Sequence, residues 1–130
     1  MHMETLFETL GGAPRIRALV DHFYDVMDSD PAVKTLRDMH PADLALSRDK
    51  LYEFLSGWSG GPPLYVQKYG HPRLRMRHMP FAVDDRAAME WMHCMRIALA
   101  AQIEDVVVRD RLEENFARIA LHMRNRQAPS

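Results

Sequence analysis

The sequence predicts an all-α fold. Apolar residues recur every three or four positions in four separate segments, and glycine, proline or aspartate residues separate those segments. The valine triplet at 106–108 is too short and too isolated to build a sheet. We therefore expect long helices at roughly residues 14–28, 43–58, 85–103 and 108–125.

The first long helix follows a glycine pair. Gly11 and Gly12 should end one or two helical turns between residues 3 and 10, because glycine readily adopts a tight bend. Pro14 suits the first turn of the helix that follows. With Tyr24 beside it, the apolar stripe of this helix comprises Ile16, Leu19, Val20, Phe23 and Met27.

A short helix is expected from residue 31 to residue 39. Its inward positions are Val33 and Leu36. Pro41 should end it, because the residue before a proline favours extended conformations. That places His40 at a corner between two helices.

The next helix contains one unexpected inward residue. Asp43 can cap its N-terminus. Ser47 is small and polar, so it either bonds back to a backbone carbonyl or leaves room for something bound. The stripe comprises Leu44, Ser47, Leu51, Phe54, Leu55 and Trp58.

Glycines and prolines at 60–63 should end this helix. A short helical or irregular stretch at 64–69 follows, and later an aspartate at 84 or 85 should cap the third long helix. The stripe of that helix is Ala88, Trp91, Met92, Met95, Leu99 and Gln102 or Ile103. The inward residues of the last helix are Leu112, Phe116, Ile119, Ala120 and Met123.

Composition favours a single globular domain over residues 1–130, with frayed ends at 1–3 and 127–130. Apolar residues make up 47% of the chain and charged residues 27%. A net charge of −1 gives no reason to expect nucleic acid as a partner. No signal peptide or membrane-spanning apolar stretch is present, so we expect a cytoplasmic protein that does not bind membranes.

Several common catalytic and binding motifs are absent. The sequence has no glycine-rich phosphate loop, no His-Glu-x-x-His and no Cys-x-x-Cys. Cys94 is the one cysteine, which excludes an intramolecular disulfide. His93 precedes it, but neighbours on a helix point about 100° apart, so we interpret Cys94 as a small buried apolar residue.

The segment at 70–81 is the strongest candidate for chemistry. Arginines alternate at 73, 75 and 77, and Pro72 and Pro80 confine any helix between them. His78 lies near the end of that short piece. It either faces the last carbonyls of the helix or serves as an axial metal ligand beside an anionic cofactor.

Polar residues at inward helical positions add to this candidate. They are Tyr24, His40, Ser47 and Trp91. A half-exposed tyrosine, a helix-capping histidine and a core tryptophan would each be ordinary. Together with His78, however, they suggest a pocket with a metal on one side and polar groups on the other.

The chain resembles a group II truncated haemoglobin from Leu6 to about His122. The residues that carry the resemblance are Leu10-Gly11-Gly12, Phe23-Tyr24, Phe54-Leu55, Gly60-Gly61-Pro62, the run from Gly70 to His78 closed by Pro80-Phe81, and Trp91-Met92-His93-Cys94-Met95. This resemblance implies a shortened globin fold, two helices over two, around haem b.

The resemblance also implies roles for individual residues. His78 matches the proximal ligand of the iron, Tyr24 the distal tyrosine and Trp91 the tryptophan that marks this group. His40 occupies a corner position where many relatives carry phenylalanine or tyrosine. It could hydrogen-bond a ligand, making ligand kinetics depend on pH, or coordinate the iron itself.

Further residues are expected to contact the haem. Ser47 falls at a distal-helix position, Arg75 or Arg77 could pair with one propionate or remain solvated, and Tyr65 could donate to the other. The apolar contacts expected are Leu51, Phe54, Met76, Met79, Phe81 and Met95.

The function implied is reversible binding of oxygen, with nitric oxide and carbon monoxide as further ligands. A second possibility is an enzyme that uses the same haem for nitric oxide dioxygenation or peroxide reduction, which would need an external reductase. A haem-free helical interaction module is a third. Either a monomer or a homodimer is compatible with the sequence.

Overall fold

The computed structural model describes residues 5–70 and 84–123, and every regular element within those ranges is a helix. The all-α prediction is therefore confirmed. The helices are α1 (Leu6–Leu10), α2 (Gly12–Ser29), a 3₁₀ turn (Pro31–Val33), α3 (Lys34–Asp38), α4 (Ala45–Trp58), α5 (Leu64–Tyr69), α6 (Asp85–Gln102) and α7 (Val106–His122).

Four long helices form two pairs. Helix α4 packs on α2, helix α7 packs on α6, and a contact between α2 and α6 joins the pairs. The 3₁₀ turn and α3 rest against α6, whereas α5 contacts α4. This is the expected arrangement of two helices over two.

Side-chain caps set several helix ends. The Asp84 carboxylate accepts the Ala87 N–H at 2.9 Å, which confirms an aspartate cap for α6. Asp105 accepts the N–H groups of Val107 and Val108, so α7 begins at Val106, two residues before the expected start. The valine triplet is thus the first turn of a helix, because a capped N-terminus outweighs the β preference of valine.

The inward face of α2 is confirmed. Its stripe residues Ile16, Leu19, Val20, Phe23 and Met27 are each at most 2% exposed. The corresponding face of α4 is less buried, and Ser47, Leu51 and Phe54 are only partly covered. This side of α4 faces a cavity, described below, rather than the core.

Two further features agree with the sequence analysis. Val33 and Leu36 are buried, and Cys94 is 0% exposed within the core. No helix in the described ranges is long and apolar enough to span a membrane.

Candidate functional site

A cavity of about 490 Å³ opens between α4 on one side and α6 and α7 on the other. Residues of α2, α3 and α5 complete its walls. A cavity of this volume, apolar with a few polar groups, is typical of a site for a small molecule or cofactor. Its lining comprises Tyr24, Leu36, Met39, His40, Pro41, Leu46, Ser47, Lys50, Leu51, Phe54, Leu55, Tyr65, Ala87, Ala88, Trp91, Phe116, Ile119, Ala120 and Met123.

An aromatic cluster forms the inner wall of the cavity. The Phe23 ring contacts Tyr24 edge-on, with centroids 4.9 Å apart, and the Trp91 ring at 5.2 Å. Trp91 in turn meets Phe116 at 6.1 Å. Phe23 lies in the core and contacts both Tyr24 on α2 and Trp91 on α6.

Three polar side chains that line the cavity make no hydrogen bond with the described residues: Tyr24 and Trp91 in this wall, and Ser47 on α4. Tyr24 is 6% exposed. Its O–H and the indole N–H of Trp91 are both donors. Neither donor is fully enclosed by the described residues, so both are open to the cavity and can donate to a molecule bound there.

The Tyr24 phenol stays protonated at neutral pH. Burial raises its pKa, and the opposing influence of the Arg48 guanidinium does not cancel this effect. Tyr24 can therefore act as a hydrogen-bond donor throughout the physiological range.

Of the two interpretations of Ser47, the described structure favours the one in which its small side chain leaves room at the cavity over a bond back to a backbone carbonyl. Its hydroxyl makes no bond back to a carbonyl of α4 or of the preceding turn. A small side chain here leaves space at the cavity wall instead.

His40 lies at the corner after α3, as expected, and its Nδ1 is 2.9 Å from the Leu36 carbonyl oxygen. A carbonyl only accepts, so Nδ1 carries the proton and donates. In the neutral ring Nε2 is then an acceptor. The His40 and Tyr24 rings meet edge-on with centroids 6.1 Å apart.

The mouth of the cavity carries Phe54, Tyr65 and a lysine. The Phe54 and Tyr65 rings lie 6.3 Å apart at nearly a right angle. Lys50, which was not anticipated, lines the cavity with its ammonium 5.4 Å from the Tyr69 ring centroid. Its position one helical turn before Phe54 could have indicated that it lies on the same side of α4.

The structure brings together seven of the expected site residues at the cavity: Tyr24, His40, Ser47, Leu51, Phe54, Tyr65 and Trp91. Met95 is 0% exposed and belongs to the core rather than to the cavity wall. The remaining expected residues lie outside the described ranges; they are Arg75, Met76, Arg77, His78, Met79 and Phe81.

Sequence reasoning missed much of the far wall. Phe116, Ile119, Ala120 and Met123 were expected to face the core, and they line the cavity as well. Their helical spacing identifies the face of α7 but not what lies opposite. Ala87 and Ala88 give a weak signal, since consecutive small residues on an inward face leave space.

No group of three or more metal-ligating side chains is found in the part of the chain that the structure describes. His93 is paired with Asp30 at 2.8 Å. Burial raises the pKa of Cys94 to about 12. Neither residue lines the cavity.

The chain is similar to known proteins in both sequence and fold. The family model described as "bacterial-like globin" matches residues 5–125. The group 2 truncated haemoglobin YjbI of Bacillus subtilis (strain 168) is 36% identical over 114 residues, which span 88% of this chain and 84% of that protein.

Two solved structures are similar over nearly their whole length. The cold-adapted truncated haemoglobin of the Antarctic marine bacterium Pseudoalteromonas haloplanktis TAC125 is 44% identical, with a TM-score of 0.93 over 95% of this chain and 99% of that one. The group II 2-on-2 haemoglobin of the plant pathogen Agrobacterium tumefaciens is 41% identical, with a TM-score of 0.94 over 98% of both chains.

Proposed function

The chain belongs to the bacterial-like globin family, and from that premise we propose that it holds haem b in the cavity between α4 and the α6–α7 pair and binds oxygen there reversibly. Family membership supports haem binding. The observation that carries the ligand-binding part is the set of unpaired donors, Tyr24, Ser47 and Trp91, in a largely apolar cavity.

The haem, when bound, supplies an iron that takes diatomic ligands such as oxygen, nitric oxide or carbon monoxide. Tyr24 and Trp91 donate hydrogen bonds to the ligand from two different helices. Fixed donors stabilise a ligand that gains negative charge, and they cost little reorganisation because Phe23 already holds both rings.

The described walls suit a large planar apolar group. Leu51 and Phe54 on α4 face Ile119 and Met123 on α7 across the cavity. Burying an apolar macrocycle against such side chains is favourable because it removes apolar surface from water. We propose that Met95, which lies in the core, supports this wall from behind.

Lys50 and Tyr65, which both line the cavity, are proposed to hold the haem carboxylates. The Lys50 side chain is exposed on the cavity side of α4, and Tyr65 is 9% exposed. Charge-assisted hydrogen bonds from such donors suit propionates. Arg75 and Arg77 remain further candidates for the same task.

His78 is proposed as the axial ligand of the iron, with Met76, Met79 and Phe81 contacting the proximal side of the haem. These assignments depend on the resemblance and on family membership.

His40 is proposed to act as an acceptor when neutral. Its Nδ1–H is engaged by the Leu36 carbonyl, so in the neutral ring Nε2 can only accept. It becomes a second donor toward the cavity only when protonated.

The absorption spectrum of the purified chain, loaded with haemin, tests this function. We expect a Soret band and a stable ferrous–oxygen spectrum in the wild type. His78→Ala should lose both, and added imidazole should restore the Soret band by replacing the missing ligand.

His93→Ala is the matched control, because His93 lies on α6 and pairs with Asp30 away from the cavity. It should leave the spectrum unchanged. An unaltered spectrum in His78→Ala, or equal loss in both variants, would contradict the proposed site.

A further inference from the structure

Arg48 on α4 reaches across to α2 and binds it at three points. Its Nη1 donates to the Asp21 carbonyl oxygen at 3.0 Å and to the Asp21 carboxylate at 3.2 Å. Its Nη2 donates to the Asp25 carboxylate at 2.8 Å. The Arg48 side chain is 21% exposed, whereas its carboxylate partners Asp21 and Asp25 are 41% and 69% exposed.

The fork lies beside the Tyr24 ring. Asp21 and Asp25 lie one turn apart on α2, and Tyr24 lies between them in the chain. The Arg48 Cζ is 5.8 Å from the centroid of the Tyr24 ring, within the range of a cation–π contact. Phe23 and His40 contact the same ring.

We propose that Arg48 is a positioning residue for Tyr24: by binding Asp21 and Asp25 and covering the ring, it holds the phenol so that its hydroxyl serves the cavity. This inference rests on the proposed function, because the hydroxyl matters only where a ligand accepts from it. Arg48 itself does not line the cavity.

Arg17 provides a matched control within the same helix pair. From α2 it donates to Asp49 on α4 at 2.8 Å and to Asp21 at 3.4 Å. Its Cζ lies 5.6 Å from the Tyr52 ring centroid. Arg17 therefore makes the same kinds of contact between α2 and α4, but on a tyrosine outside the cavity.

The first arm of the test needs no ligand kinetics. Tyrosine ring carbons labelled with ¹³C report how fast each ring flips, and Tyr24→Phe identifies the Tyr24 signals. We expect Arg48→Met to speed the flipping of Tyr24 about two- to tenfold. Arg17→Met should speed that of Tyr52 and leave Tyr24 unchanged.

The second arm measures oxygen dissociation from the haem-loaded chain in a double-mutant cycle. Arg48→Met should raise the dissociation rate about two- to tenfold in the wild-type background and leave it unchanged in a Tyr24→Phe background. Arg48→Lys, which keeps the charge but not the fork, should fall between Arg48→Met and the wild type.

Unchanged Tyr24 flipping in Arg48→Met would overturn the proposal, as would an equal rise in dissociation with and without Tyr24. If the chain took up no haem, the first arm would still decide whether Arg48 holds the ring. Failure of the positioning role and failure of the proposed function would therefore give different results.

Discussion

At the scale of single residues, the site is distinguished by which polar groups have partners. The hydroxyl of Tyr24 and the indole N–H of Trp91 have none among the described residues, whereas His40 is tied to the Leu36 carbonyl. Donors that are open to a cavity can donate to a molecule bound there. We therefore propose Tyr24 and Trp91 as the primary donors and His40 in a secondary role.

The role of His40 predicts a pH dependence. Protonation turns its Nε2 from an acceptor into a donor, so oxygen release should slow as the pH falls from about 8 to about 5. His40→Phe should remove this slope. Stopped-flow oxygen dissociation across that pH range measures it.

His122 serves as the control for this prediction, since it is exposed near the end of α7. His122→Phe should keep the slope of the wild type. The same pH profile in His40→Phe and the wild type would refute a role for His40 in ligand release.

At the scale of elements, one buried carboxylate fixes the corner that carries His40. Glu90 on α6 is 7% exposed, accepts the Leu36 N–H at 3.1 Å and binds Arg86 at 3.0 Å. Leu36 then accepts from His40 through its carbonyl. Glu90 thus joins α3 to α6 and sets the position of the corner.

Removing Glu90 should destabilise the fold measurably. Glu90→Ala leaves the Leu36 N–H buried without a partner, so we expect the free energy of unfolding to fall by about 1–3 kcal/mol. Urea unfolding followed by circular dichroism measures the change. Glu114→Ala, at an exposed position on α7, should stay within about 0.5 kcal/mol of the wild type; equal losses in the two variants would argue against the bridge.

The end of α2 is tied to α6 by another pair, and this pair predicts acid sensitivity. The hydrogen bond with His93 lowers the pKa of Asp30, with help from the Ala32 N–H. A carboxylate with a lowered pKa stabilises the fold above its unfolded pKa of about 3.9, and this contribution is lost as the pH falls through the folded value.

Asp30→Asn should therefore lower stability at neutral pH and flatten the fall in stability below about pH 4. Urea midpoints measured from about pH 2 to pH 7 test this. Asp110→Asn, at an exposed position on α7, is the control and should follow the wild-type curve. A wild-type acid profile in Asp30→Asn would contradict the linkage.

The element scale also shows what local sequence can and cannot predict. The inward stripe of α2 and the aspartate cap of α6 follow from spacing and residue type alone, and both are confirmed. The start of α7 was misplaced because Asp105 was not recognised as its cap. Capping depends on one side chain, and a valine triplet after it obscures the signal.

At the scale of the whole molecule, the fold was predictable but the cavity was only partly so. Helical periodicity tells which face of each helix points inward. It does not tell which faces meet, so Ser47, Tyr24 and Trp91 could be proposed as inward polar residues while Phe116 and Met123 were assigned to the core. A cavity built by six elements depends on tertiary contacts that no local pattern encodes.

The resemblance supplied what periodicity could not. It gave distal roles to Tyr24 and Trp91, which the inward polar positions had already grouped with His40 in one pocket, and the structure brings these three side chains to one cavity. Lys50 escaped both approaches, because an exposed lysine on a helix is usually only a solvated residue. Its place at the cavity mouth became visible only in three dimensions.

The most direct test of the ligand site is the rate of oxygen dissociation from the haem-loaded chain in wild type, Tyr24→Phe and Trp91→Phe. Each lost hydrogen bond to the ligand should be worth about 1.5–3 kcal/mol, so both variants should release oxygen tenfold faster or more. Tyr52→Phe, outside the cavity, should match the wild type. If neither Tyr24→Phe nor Trp91→Phe changes the rate, the unpaired donors do not hold the ligand, and the proposed distal site is wrong.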